Sequence, residues 1–219
     1  MPYHFGLKVL EGKRGLKLTR DKYAIVSNKN SFGVRFSRDI YADEAAKVYS
    51  DEWCETQLKD CLENYDLNMK YYSSLDHSEF NKEIEEFLKN NKDFKEVVDL
   101  NLYEGISGYY LMILDEYSQL YVGTSYNIKN RIRQHWNKSK QFDRLLFPMG
   151  NVDSSKLSID SFRALDTTRI YVHITEDAYS KEDDYINQFS SEFIANRMSG
   201  GKIEGGLIQA ISMMKTRDL

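Results

Sequence analysis

The sequence predicts an α+β protein: a small mixed sheet flanked by helices, preceded by an N-terminal region of β-hairpin and helical character. Three observations point there. Apolar runs of strand length stand at residues 109–114, 120–122 and 169–174. Apolar residues at three- and four-residue spacing mark helical faces at 54–65, 80–88, 128–136 and 185–189, and clusters of Gly, Asn and Asp separate the runs. Composition agrees. With 219 residues, 41% of them hydrophobic, 29% charged and only two proline, the chain holds enough apolar material for one large core or two modest ones.

Taken in order, residues 5–9 and 16–18 flank Gly12-Lys13-Arg14-Gly15, and residues 23–26 and 34–36 flank Asn28-Lys29-Asn30-Ser31, so both stretches read as β-hairpins. From Asp43 the spacing turns helical. Val48, Cys54, Leu58, Cys61, Leu62 and Tyr65 share one face, and Phe80, Ile84, Phe87 and Leu88 share another behind a Ser78 cap. Both helices are acidic, and those acids read as solvated faces. Past Leu100 the chain restarts with a strand at 109–114, a polar turn at 115–119 and a strand at 120–122. Ser125 or Asn127 then caps a helix that places Ile128, Ile132, His135 and Trp136 together. After a long irregular stretch, residues 169–174 alternate as a strand. Ser180-Lys181-Glu182-Asp183 matches a capping box and opens a helix carrying Tyr185, Ile186 and Phe189, with a further helix expected after it. The restart divides the chain into an N-terminal region, 1–104, a sheet-bearing domain, 105–205, and a C-terminal tail, 206–219.

The formal charge of -4 argues weakly against a protein that coats nucleic acid, yet its distribution is uneven. Residues 1–40 hold nine Lys/Arg against three Asp/Glu, residues 41–105 hold seven against seventeen, and residues 106–219 hold fourteen of each. The basic end either follows a phosphate backbone or pairs with the acidic middle. Cys54 and Cys61, the only cysteines, read as buried thiols rather than a zinc site or a disulfide. The first ten residues lack the pattern of a secretory leader, and the longest apolar run, 109–114, is far short of the roughly 20 residues a membrane helix needs. A reducing cytoplasm is the expected compartment, with no membrane partner.

Gly108-Tyr109-Tyr110 is followed, after ten intervening residues, by Tyr121-Val122-Gly123. Arg131 comes eight residues past Gly123 and His135 four further on, while Glu182 lies on the next helix and Asn196 after it. This ordered set, over roughly a hundred residues, resembles the GIY-YIG nucleases. The resemblance implies a metal-dependent endonuclease that hydrolyses phosphodiester bonds in DNA. It further implies that Tyr110 contacts or deprotonates the attacking water with Tyr121 beside it, and that Arg131, His135, Glu182 and Asn196 complete the site.

The same residues can be read from their own chemistry. Glu182 falls near the centre of the face made by Tyr185, Ile186 and Phe189, and a carboxylate turned toward a core must be paired, protonated or metal-bound. An oxygen site with few protein ligands suits Mg²⁺, or Mn²⁺ in its place, because such ions keep waters and accept phosphate oxygens. The plainer reading is a first-turn acid favoured by the helix dipole. Arg131 and His135, four apart, are neighbours on one helix face and can meet one phosphate. Residues 124–147 around them carry six Lys/Arg and one acid. Alternatively, Arg131 is a solvated helix residue, His135 a core histidine, and the two tyrosines cross-strand packing. If Tyr110 faces the site, Tyr109 must face the other side of the sheet.

Three departures from the family pattern stand out. Residues 137–168 are longer than in compact members and read as a specificity insertion, served by Lys138, Lys140, Arg144, Lys156 and Arg163. The interval from Glu182 to Asn196 is long and lacks a Pro ahead of the Asn, which leaves Asn187 as an alternative. Residues 1–100 resemble no named pattern. A catalytically inactive nucleic-acid-binding or regulatory module on the same fold is the competing functional reading.

Overall fold

In the computed structural model, residues 2–24, 50–138, 140, 142–147, 150–177 and 179–196 are described. The fold is α+β. Its four-stranded sheet has the order β3-β6-β4-β5, made by β3 (Lys95–Glu96), β4 (Gly108–Leu114), β5 (Gln119–Ser125) and β6 (Arg169–Ile174). All three ladders are antiparallel, and the parallel component is a single bridge between Leu120 and Ile194 at the outer edge of β5. β4 is central and all seven of its residues are buried, which is why it reads as an unbroken apolar run rather than an alternating one.

Alternation along β4 feeds two cores. Tyr110, Met112 and Leu114 enter one with Ile170 and Val172 of β6, while Tyr109, Leu111 and Ile113 enter the other with Leu120 and Val122 of β5. Tyr109 and Tyr110 therefore face opposite sides, as expected. The first core is closed by α2 (Asp51–Ser74) through Cys54, Cys61 and Tyr65, and by α4 (Ile128–Asn137) through Ile128, Ile132 and Trp136. The second is closed by α3 (His77–Asn90) through Phe80, Ile84 and Phe87, and by α5 (Glu182–Ile186) through Tyr185 and Ile186. Residues before 105 thus supply one strand of the sheet and one helix to each face. Both cysteines are buried thiols outside any disulfide, as expected.

The amino-terminal hairpin differs from the sequence expectation. β1 (Tyr3–His4) pairs with β2 (Leu7–Lys8) across Phe5 and Gly6, whose φ values of +44° and +73° are those of a two-residue hairpin turn. A turn does form at Gly12, whose carbonyl accepts from Gly15 N, but its flanks do not pair as strands. Instead, Leu16 O accepts from Leu165 N, and Leu18 N donates to the Asp166 carboxylate at 2.9 Å. Tyr23, expected on a second hairpin, ends α1 (Arg20–Tyr23) with Ala24 as its C-cap; residues 25–36 of that hairpin, and Val48, lie outside the described residues. The described basic side chains here are largely engaged: Lys17 with Glu116, Arg20 with Asp66 of α2, and Lys22 with Glu11.

Helix caps also refine the reading. Asp76, not Ser78, caps α3 by accepting from Ser78 N and Glu79 N, and Asn127 caps α4 by accepting from Asn130 N. The capping box expected at Ser180 does not form. Lys181 is the N-cap of α5, without a side-chain cap, and its backbone N–H donates to the Tyr109 hydroxyl at 2.9 Å. Beyond α5, residues 187–196 form turns and no second helix; residues 197–219, including the tail, lie outside the described residues. Among the described residues, no helix is long and apolar enough to cross a membrane.

Candidate active site

The two tripeptides owe their glycines to close approach. Tyr110 sits opposite Gly123 in the β4–β5 register, and a Cβ at Gly123 would lie 2.4 Å from the Tyr110 Cζ and hydroxyl and 2.8 Å from Tyr121 Cε1. At Gly108, φ is +155° and a Cβ would lie 2.1 Å from His173 O on β6. Only glycine fits either position without moving backbone or the buried ring.

Over this surface the Tyr110 and Tyr121 rings lie 6.2 Å apart, and Tyr121 stands edge-on to His135 at 5.0 Å. The Tyr110 hydroxyl is 2.9 Å from His135 Nε2, and His135 Nδ1 is 2.7 Å from Asp160 Oδ1. An ionised carboxylate only accepts, so Nδ1 carries the proton and Nε2 of the neutral ring accepts from the Tyr110 O–H. Tyr110 is wholly buried, His135 nearly so, and Tyr121 and Arg131 are partly exposed.

Burial drives the Tyr110 phenol well above its ordinary range, helped by Tyr121 and opposed by Arg131. Tyr121 is pushed up to about 12 by burial and by Glu182, again against Arg131. For Arg131 burial works against the charge, yet the Tyr110 and Tyr121 phenols and Asp160 leave its pKa raised. Glu182 is half-buried and held above the usual carboxylate range by burial and by Asp183, with Arg131 pulling the other way. Its carboxylate makes no hydrogen bond or ion pair among the described residues. Tyr110, Tyr121, Arg131, His135 and Glu182 therefore share one electrostatic neighbourhood.

Burial lowers the His135 pKa below 6.5, outweighing the Asp160 hydrogen bond that raises it. The unfolded chain takes up a proton near pH 6.5 that the folded state resists, so stability is intact above that pH and declines as pH falls through it. Thermal melts are expected to show Tm dropping as pH goes from about 7 to about 5, with a flatter dependence in His135→Gln. His4, also lowered by burial, leaves part of the slope in place. An unchanged slope in the variant would remove His135 from this account.

Asn196 holds the strand that carries Tyr121 and makes no side-chain bond to the cluster itself among the described residues. Its Oδ1 accepts from Val122 N at 3.1 Å and its Nδ2 donates to Val122 O at 2.8 Å, closing the outer edge of β5. Asn187 is the C-cap of α5, and with Asn196, Phe147 and Lys156 it lines a cleft that includes none of the tyrosines, Arg131 or Glu182.

Two contributors escaped the sequence reading. Asp160 lies in the long stretch after α4 with no periodicity to mark it. Tyr109, expected only to face away, donates to Asp177 O at 2.7 Å and accepts from Lys181 N, so it fixes the start of the helix that bears Glu182. The long stretch itself is packed against the sheet: Leu145, Leu146, Leu157 and Phe162 enter the first core, and Asn64 and Asn68 of α2 donate to Ser155 O. Arg163, read from sequence as available to a substrate, is buried. It donates to the carbonyls of Ser161, Trp136, Lys138 and Asp160. Lys156 donates to Ser191 O. No protein-family model, curated protein or solved structure matches the chain.

Proposed function

We propose that this chain is a metal-dependent DNA endonuclease of the GIY-YIG type. The observation that carries the reading is the Glu182 carboxylate: half-buried, without a hydrogen-bonding partner among the described residues, and within the field of Arg131. A carboxylate in that position gains from a cation. No group of three or more His, Cys, Asp or Glu side chains able to hold a metal occurs among the described residues, which disfavours a zinc-type cage. One carboxylate suits Mg²⁺ or Mn²⁺, which retain waters and take phosphate oxygens as the remaining ligands. Glu182 is the residue that would hold the ion, and the ion would supply Lewis-acid polarisation of the scissile phosphate.

The chain's own groups account for the rest. Arg131 presents a planar fork of donors to the non-bridging oxygens and stabilises the charge that accumulates on the phosphorane. Tyr110 accepts a proton from the attacking water while passing its own hydroxyl proton to His135 Nε2, and the imidazolium so formed faces the Asp160 carboxylate. Because Tyr110 is buried, substrate binding has to open a path to it by displacing the partly exposed Tyr121 or Arg131. Asn196 is proposed as the support of β5, whose Tyr121 lines the site. The long stretch after α4 serves the site through packing more than through free basic side chains.

The burial of Tyr110 and its engagement with His135 also favour a second reading, a nucleic-acid-binding module without cleavage. A regulatory version, with the acidic middle lying in the basic groove, finds less support. Arg20 pairs with Asp66 and Lys129 with Glu104, but among the described residues no acid of residues 41–104 forms an ion pair with Arg131. Incubation with supercoiled plasmid separates these readings. Nicked or linear DNA that requires Mg²⁺ or Mn²⁺ is expected. DNA binding without cleavage under either ion selects the second reading.

A further inference from the structure

The described residues hold several features with no assigned role: the cleft beside Asn196, the exposed Tyr126–Tyr179 pair, and an acceptor from the long stretch that closes on His135. The third has a built environment on every side. Asp160 Oδ1 meets His135 Nδ1 at 2.7 Å, and its Oδ2 lies 3.5 Å from Lys140 Nζ. Its backbone N–H donates to Ser158 Oγ, and its carbonyl accepts from the Arg163 guanidinium. Arg163 in turn donates to the carbonyls of Trp136, in the last turn of α4, and of Lys138, its C-cap. The short 3₁₀ turn Ile159–Ser161 is thereby tied to the helix that carries His135.

We infer that Asp160 is a positioning residue that fixes His135 in its Nδ1–H tautomer, so that Nε2 is free to take the hydroxyl proton of Tyr110. The inference rests on the proposed nuclease reading and deepens it. A neutral imidazole has one donor and one acceptor nitrogen, and which is which follows from the partner of the other nitrogen. With a carboxylate at Nδ1, the Tyr110 O–H must be the donor in the 2.9 Å contact with Nε2. With an amide in place of the carboxylate, the carbonyl oxygen takes the side facing Lys140 Nζ and leaves the –NH₂ group toward Nδ1, where it donates; the proton then moves to Nε2, and the Tyr110 hydroxyl becomes the acceptor and loses its outlet. The charges facing His135 are Asp160, Arg131 and Lys140, so no second carboxylate among the main contributors takes over the role. The step balances: the attacking water bonds phosphorus as it gives a proton to Tyr110, Tyr110 gives one to His135, the oxygen of the broken P–O bond leaves and is protonated by solvent water, and the imidazolium held by Asp160 returns its proton to solvent.

The test uses the full chain, with histidine nitrogens labelled, and compares the parent with Asp160→Asn and Asp160→Glu. Long-range proton–nitrogen spectra at neutral pH read the tautomer directly and do not depend on activity. The parent is expected to show protonated Nδ1 and bare Nε2, Asp160→Asn the reverse, and Asp160→Glu the parent pattern. Plasmid cleavage by Asp160→Asn should fall about 10²–10⁴-fold in kcat, the size of a lost proton-transfer step, with unchanged DNA affinity. Asp160→Glu should recover part of it. An Nε2–H tautomer in the parent, an unchanged tautomer in Asp160→Asn, or a changed tautomer with parental kcat each overturns the inference. A parent with the expected tautomer that cuts no DNA overturns the nuclease reading instead, while the spectra still establish how Asp160 orients His135.

Discussion

Glu182→Ala is expected to abolish phosphodiester cleavage while leaving DNA affinity intact or slightly increased. Two facts about Glu182 give the asymmetry. Its carboxylate makes no hydrogen bond or ion pair among the described residues, so under the proposed reading its removal takes away the anchor for a hard cation. It also repels phosphate, and Arg131 beside it would be left with more of its charge available to the backbone. Lewis-acid stabilisation is worth several kcal/mol in the transition state. At 1.36 kcal/mol for each factor of ten, its loss lowers turnover by roughly 10³-fold or more. Folding should survive, because a half-buried carboxylate held above its ordinary pKa is a cost to the native state rather than a support. The measurement is plasmid nicking against Mg²⁺ concentration, with affinity followed separately by anisotropy. Parental cleavage by Glu182→Ala under matched Mg²⁺ would remove the metal assignment.

The fold was legible because it depends on local periodicity, and the residues of the cluster were singled out by their resemblance to the GIY-YIG pattern. β4, β5 and β6 announce themselves as apolar runs, and Arg131 with His135 needs only the four-residue repeat of a helix to become neighbours. What stayed hidden depends on contacts between distant residues. Gly12 to Gly15 looks more like a hairpin turn than Phe5-Gly6 does, yet Leu16 and Leu18 bond to the segment at 165–166, far along the chain, and are unavailable for strand pairing. The capping box at Ser180 does not form: the Ser180 hydroxyl donates to Asp177 Oδ2, and Lys181 N, which starts the helix instead, finds the Tyr109 hydroxyl, 72 residues away. Asp160 lies 25 residues from His135 in a stretch without period, so no pattern in the sequence marks it. Arg163 carries the composition of a substrate contact and the geometry of a core tie, which charge counting does not distinguish.

Tyr110→Phe should slow turnover by about 10²–10⁴-fold with little change in DNA affinity, because it removes one hydroxyl and keeps the ring that Gly123 accommodates. The variant also strips His135 Nε2 of its donor in a buried setting, and an unsatisfied buried acceptor costs about 1–3 kcal/mol of stability. Rate and stability must therefore be measured apart, with kcat taken well below Tm, where the variant is fully folded. Burial raises the Tyr110 pKa, so the phenol is protonated at rest. It can act as a base only by handing its proton on as it receives another. That requirement separates Tyr110 from Tyr121, whose ring packs edge-on to His135, nearer solvent, beside Arg131 and Glu182. A Tyr110→Phe enzyme that keeps parental kcat while Tyr121→Phe loses it would move the proton acceptor to Tyr121 and leave Tyr110 as packing. Loss in Tyr110→Phe, with Tyr121→Phe affected mainly in KM, is the expected outcome, because only Tyr110 is joined through His135 to a carboxylate that can hold the resulting positive charge.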